Sequence, residues 1–235
     1  MVRTLLIKGR REASLITPHP APLTRKAGLP MRRTILLVAT MALTLLVASG
    51  MALAVTKIGG PGPDTLRGSN GADNLLGNGG NDVLYALGGR DTLLGGEGKD
   101  WLMGGNERHL QGGEKTLVGG PGNDGVAIGR GSSNAVGGAA VGEAGNDMLF
   151  EEATRNFSTN TYSGGSGNDV FLVNNKPTNK DIVMCGSGFD RVLVDSKDVV
   201  ASDCEQVSMN LSDQEFFETV PQSFFEGLEP FPPGL

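Results

Sequence analysis

The chain has 235 residues, 37 of them Gly and only 5% aromatic. This composition excludes a globule packed from layers of large side chains, because Gly has nothing to bury and loses the most backbone freedom on folding. The net charge of -6 hides an asymmetry: the first 54 residues hold eight of the 20 Lys/Arg and one of the 26 Asp/Glu, which leaves 12 bases against 25 acids, net -13, in the remainder. So acidic a surface excludes nucleic acid as a partner and attracts cations.

Residues 1–30 are polar and basic and are broken by Pro18, Pro20 and Pro22. They read as a disordered or non-native extension ahead of a true start at Met31. Met31-Arg32-Arg33 then opens an apolar run of signal-peptide length, and Ala52-Leu53-Ala54 supplies a small-x-small cleavage site, so 31–54 reads as a signal peptide cut after Ala54. The competing reading is an uncleaved anchor, since 35–54 is nearly long enough to span a bilayer. With cleavage, the mature chain has no stable membrane insertion and is secreted or held at a cell surface of bacterial type.

From Gly59 the chain falls into nines: GGPGPDTLR, GSNGADNLL, GNGGNDVLY, ALGGRDTLL and GGEGKDWLM. The sixth place is always Asp (Asp64, Asp73, Asp82, Asp91, Asp100) and the fourth is always Gly (Gly62, Gly71, Gly80, Gly89, Gly98). The eighth is always Leu (Leu66, Leu75, Leu84, Leu93, Leu102). Six Gly-rich residues ending in Asp make a turn whose carbonyls can face inwards; three residues make a short strand that buries the Leu. Backbone carbonyls and one carboxylate per turn, stacked on the next turn, provide the oxygens that Ca²⁺ requires. With two units per coil, Asp64, Asp82 and Asp100 line one edge and Asp73 and Asp91 the other. Ions are therefore expected between 64 and 82, 82 and 100, and 73 and 91.

These units resemble the RTX, or haemolysin-type, calcium-binding repeat, GGxGxDxUx. The resemblance implies an all-β fold, a parallel β-roll or β-solenoid built from nonapeptide repeats, with Ca²⁺ as its cofactor and flexible termini. Gly60, at the second place, joins the fourth-place glycines and the Asp residues as an expected ligand-forming position. Its counterparts Ser69, Asn78 and Leu87 depart from the pattern, which implies looser carbonyl geometry there.

After Met103 the register slips, and His109 falls at one in-phase place, where a solvated turn residue is the expected reading. The unit returns around Asp124, Asp147, Asp169 and Asp190, separated by degenerate sequence over 104–160 and a last set of turns over 161–211. Asp124, Asp147 and Asp169 are further metal candidates; the alternative is coils that keep the shape without the ion. Cys185 and Cys204 are expected to pair in an oxidising compartment and to tie the last turns together, two independent thiols being the alternative. Asp195, Asp198, Asp203 and Glu205 lack EF-hand spacing and read as an acidic surface. Residues 212–235 are rich in Phe and Pro without sustained periodicity and read as a flexible acidic and aromatic tail.

Catalytic motifs such as H-E-x-x-H and G-x-S-x-G do not occur, so the chain reads as a non-enzyme. The favoured function is a secreted calcium-binding protein whose folding is coupled to the metal, with a structural or adhesive role and a cell-surface or matrix partner the sequence does not name. The alternative is an accessory repeat domain, or remnant, of an exported hydrolase or toxin.

Overall fold

The computed structural model describes residues 53–105, 114–129, 137–151, 158–174 and 179–232. They belong to one compact unit, Gly50–Leu235. The extension 1–30, almost all of the 31–54 segment, and His109 lie outside the described residues. Among the described residues no helix is long and apolar enough to cross a membrane.

The chain winds as a solenoid with two parallel sheets of eight strands. One sheet holds the odd-numbered strands: β1 (Thr56–Ile58), β3 (Asn74–Gly79), β5 (Thr92–Glu97), β7 (Thr116–Pro121), β9 (Ala139–Ala144), β11 (Thr161–Ser166), β13 (Ile182–Ser187) and β15 (Val199–Val200). The other holds the even-numbered strands: β2 (Thr65–Arg67), β4 (Val83–Tyr85), β6 (Trp101–Met103), β8 (Gly125–Ile128), β10 (Met148–Glu151), β12 (Val170–Val173), β14 (Arg191–Val194) and β16 (Gln206–Met209). Each strand pairs with the strand one full coil away, as the two-unit coil requires.

Alternation along these short strands sets the core. Leu66, Leu84, Leu102, Val126, Leu149, Phe171 and Val192 stack in register up the even sheet. Leu75, Leu93, Leu117, Ala140, Tyr162 and Val183 do so up the odd sheet. All belong to one buried cluster between the sheets. The slip after Met103 does not break this stacking, because every added residue falls in the chain between an even-numbered strand and the odd-numbered strand that follows it. From β1 to β14 the opposite turns keep their six-residue form, so the coil lengthens on one edge only.

In the structure a disulfide joins Cys185 to Cys204, with Cα atoms 5.2 Å apart. The nearby acids are more than an acidic surface. Glu205 accepts a hydrogen bond from the Asp190 amide, Asp203 from the Gly186 amide, and Asp198 from the amides of both Asp181 and Asp195. Asp198, Asp203 and Glu205 lie in the coil of β15 and β16, and there they satisfy amides of the coil before it.

The segment from Ser212, expected to be flexible, is folded over its described residues, which run to 232. Helices run over Asp213–Phe217 and Gln222–Leu228, the first opened by a reciprocal capping box between Ser212 and Glu215. Phe216, Val220, Phe224 and Leu228 are buried against Trp101, Met103, Ala127, Phe150, Val170 and Leu193 on the outer face of the even sheet. Phe231 meets the Trp101 ring at 5.3 Å between centroids. The physical reason is a second apolar surface: the outward places of β4, β6, β10 and β12 are hydrophobic, and the helices pack on this surface and remove much of it from water.

Candidate metal centre

The turns between the odd and even sheets form the regular edge, and they place Asp64, Asp82, Asp100, Asp124, Asp147, Asp169 and Asp190 in a single row. Each backbone amide donates to the carboxylate one coil further on: Asp64 to Asp82 Oδ1 at 2.7 Å, Asp82 to Asp100 Oδ1 at 2.8 Å, and Asp100 to Asp124 Oδ1 at 2.8 Å. The row continues from Asp124 to Asp147 Oδ1 at 2.8 Å, Asp147 to Asp169 Oδ1 at 2.9 Å, and Asp169 to Asp190 Oδ1 at 2.7 Å. The sequence separations along this ladder are 18, 18, 24, 23, 22 and 21, so the ladder is indifferent to what is inserted on the other edge. Asp124, Asp147 and Asp169 therefore do have stacking neighbours of their own kind. Asp190 stands with them, although it was not among the expected metal ligands.

One oxygen of each carboxylate is thus used, and the other decides what the row can do. Oδ2 of Asp82, Asp100, Asp124, Asp147, Asp169 and Asp190 is buried and has no hydrogen-bond partner. Such an atom is costly unless something positive reaches it. Backbone carbonyls converge on the same spots. A Cβ added at Gly77, Gly95, Gly142 or Gly164, the first place of its unit, would fall 2.1–2.4 Å from the Asp Oδ2. The same Cβ would fall 2.4–2.7 Å from the carbonyl oxygen of Gly95, Gly119, Gly164 or Cys185 in the next coil. Carboxylate and carbonyl oxygens without donors form the set that suits a hard cation such as Ca²⁺. No group of three or more His, Cys, Asp or Glu side chains occurs among the described residues, so the donor set is mainly backbone.

Backbone conformation at the second place separates units of this kind from the rest. Asn78, Leu87, Gly96, Gly120, Glu143, Gly165 and Gly186 all have φ between 74° and 116°. Asn78 and Leu87 therefore hold the same left-handed turn as the glycines and do not loosen it. In the first two units the second-place amide turns to the carboxylate instead: Gly60 donates to Asp64 Oδ2 at 2.6 Å, and Ser69 donates to Asp73 Oδ2. Gly60 and Asp64, and Ser69 with Asp73, thus close their turns by an internal hydrogen bond. The fourth-place glycines Gly80, Gly89 and Gly98 have positive φ as well, and a Cβ at Gly98 would lie 1.9 Å from the Gly80 carbonyl oxygen. Gly62, in the first coil, has open space at that point.

The second edge is irregular. Asp73 donates its amide to Asp91 Oδ1 at 3.0 Å, but the places equivalent to Asp in the following coils are held by Lys115, Gly138 and Asn160, before Asp181 and Asp198 restore the acid. Nothing in the sequence around these residues marks the position; only the register of β7, β9 and β11 reveals it.

Burial dominates the electrostatics of the regular edge. It raises the Asp100 carboxyl from an ordinary 3.8 to about 6, Asp169 to about 7, Asp124 to about 8 and Asp147 to about 9, with the adjacent carboxylates adding to the rise. Glu143 contributes to the last two. As pH climbs above about 4 the unfolded chain ionises freely while these folded carboxyls keep their protons. The unfolded state then binds fewer protons, and stability falls with pH until about 9. In chelator the melting temperature is therefore expected to fall steadily from pH 5 to pH 9, and saturating calcium, which binds the ionised form, should flatten or reverse that slope. Parallel slopes with and without calcium in a melting series would contradict this assignment.

A family model for the RTX calcium-binding nonapeptide repeat matches residues 58–93, 76–107 and 156–172. No curated protein and no solved structure matches the chain. With the matched segments on a parallel β-solenoid whose turns stack Asp upon Asp, the chain is one that carries RTX calcium-binding repeats.

Proposed function

We propose that this chain is an exported, non-enzymatic calcium-binding solenoid whose ordering is coupled to the metal, and that it serves a structural or adhesive role outside the cell. The observation that carries this reading is the row of six buried carboxylates, each with an unpartnered Oδ2, beside which a carbonyl of the next coil lies at Asp82, Asp100, Asp147 and Asp169. Bound calcium would supply the positive charge that these oxygens lack. The chain's own residues do the rest: the Asp Oδ1 atoms fix the coil spacing through the amide ladder, the left-handed second place keeps amides away from Oδ2, and the closed core of Leu, Val, Tyr and Phe holds the turns in register.

Export accords with the signal-like segment 31–54 and with a disulfide in the last turns. Affinity on the order of 10⁻⁴ to 10⁻³ M would match the calcium available to extracellular modules. Circular dichroism of the exported chain, first chelated and then titrated with calcium, tests the coupling. Strand signal and melting temperature should rise with Ca²⁺ and not with equal Mg²⁺, which dehydrates reluctantly and demands a tighter octahedron. Equal responses to the two ions, or none to either, would defeat the reading.

A further inference from the structure

The second edge differs from the first most sharply at Asp91. Thr92 pairs with Thr116, so the residue one coil beyond Asp91 is Lys115, at a place where the regular edge carries another Asp. The Lys115 side chain is 4% exposed and that of Asp91 is fully buried. Its ammonium donates to Asp91 Oδ2 at 2.7 Å and to the Gly89 carbonyl at 3.2 Å. The first acceptor is the second carboxylate oxygen, the atom that has no partner in Asp82, Asp100, Asp124, Asp147, Asp169 and Asp190 on the regular edge; the other is the fourth-place carbonyl of Asp91's own turn. The turn of Asp91 is also in the open form, with Leu87 at φ 74°, and is not closed by its own amide as the turn of Asp73 is.

We infer that the Lys115 ammonium stands in for a calcium ion at the Asp91 turn, so that this position on the second edge is closed to metal and ordered without it. The inference rests on the calcium reading of the regular edge. A lysine is suited to the task because its four-carbon stem spans the strand spacing of about 4.8 Å and carries a single compact charge with three donors. The placement also accounts for where the coil begins to lengthen. Lys115 closes the first turn that departs from the nonapeptide, and a covalently attached cation needs no stacked Asp to hold it. In the coils that follow, Gly138 and Asn160 hold the same place, and the Asn160 amide group donates to Glu151 Oε1 at 3.0 Å.

Calcium stoichiometry by equilibrium dialysis, together with melting in chelator, tests this on the full exported chain. Lys115→Asp is expected to bind one more calcium ion per chain than the wild type. Lys115→Met is expected to melt about 5 °C or more below the wild type in chelator, because it strands a buried carboxylate. A folded Lys115→Asp chain with wild-type stoichiometry, or a Lys115→Met chain that melts with the wild type in chelator, would overturn the inference. If Lys115→Asp fails to fold, the paired change Asp91→Asn with Lys115→Met decides. Unchanged stoichiometry supports the lysine's role, and the loss of one ion refutes it. A wild type that binds no calcium would instead defeat the proposed function, and the chelator arm would still decide what Lys115 does.

Discussion

Phe216→Ala is expected to destabilise the protein by about 3 to 5 kcal/mol and to lower its melting temperature by about 10 °C, equally in calcium and in chelator. Phe216 is fully buried between the C-terminal helices and the outer face of the even sheet. Truncation removes its ring from contact with that face and leaves a cavity that the short helix Asp213–Phe217 cannot close by itself. The lost contacts do not involve the Asp edge, which is why calcium should neither mask nor magnify the effect. Phe231→Ala serves as the comparison: that ring also touches the face, at Trp101, but is 43% exposed, and its loss should be clearly smaller. Thermal melts of the two variants check the order. A Phe216→Ala change worth under about 1 kcal/mol would mean that the tail does not hold to the sheet in solution.

That a tail rich in Phe and Pro should be structured was partly visible in the sequence and was obscured by the way the pattern is ordinarily read. Phe216, Val220, Phe224 and Leu228 recur every four residues, the spacing of one helix face, but Pro221 breaks the run into two helices too short to show a sustained period. The surface they cover was obscured for a related reason. Taken in order, the residues after each Asp read Thr65, Asn74, Val83, Thr92, Trp101, with no regularity. Separated by parity, the middle of the even sheet does have one: Val83, Trp101, Met148 and Val170 hold this place in β4, β6, β10 and β12 and form part of the surface that the helices cover, whereas Thr65 and Arg191 hold it towards the ends.

The same distinction explains what could be read of the metal site. Asp, Gly and Leu at fixed places make the nonapeptide visible, because each is demanded by a different constraint: a carboxylate, a left-handed backbone and a buried side chain. What was not legible is the state of each turn. Asn78, Leu87 and Glu143 share no chemistry with one another or with Gly96, yet all adopt positive φ at the second place, because the stacked turn imposes that conformation. Ser69, the chemically mildest departure, is the one whose amide turns to its own Asp. The best-matched units are consequently not all the best cation sites. The carboxylates with an open oxygen extend from Asp82 to Asp190, through the stretch where the sequence pattern decays. Similarly, Lys115 acquires meaning only once the pairing of β5 with β7 sets it beside Asp91.

Asp147→Asn should give the clearest separation between a structural aspartate and a metal-binding one, because its effect is expected to change sign with calcium. Asp147 lies deep in the row: its Oδ1 accepts from the Asp124 amide, its amide donates to Asp169, and its Oδ2 sits beside the Gly164 carbonyl with no donor. Asn keeps the Oδ1 acceptor and turns the orphaned oxygen into an NH₂ that can donate to such a carbonyl. In chelator near pH 7.5 the wild type must hold this carboxyl protonated, with its value pushed up to about 9, or else bury its charge. Removing that burden should stabilise the apo protein by on the order of a few kcal/mol and reduce the fall of stability with pH by about one proton's worth. In millimolar calcium the order reverses. The variant lacks the anionic oxygen, gains less from the ion, and should melt below the wild type, with a lower stoichiometry in dialysis. Melting curves of the two proteins, measured against calcium concentration, should therefore cross. An equal loss in chelator and in calcium would reduce Asp147 to a rung of the ladder and remove the row of open carboxylates as the basis for metal-coupled folding.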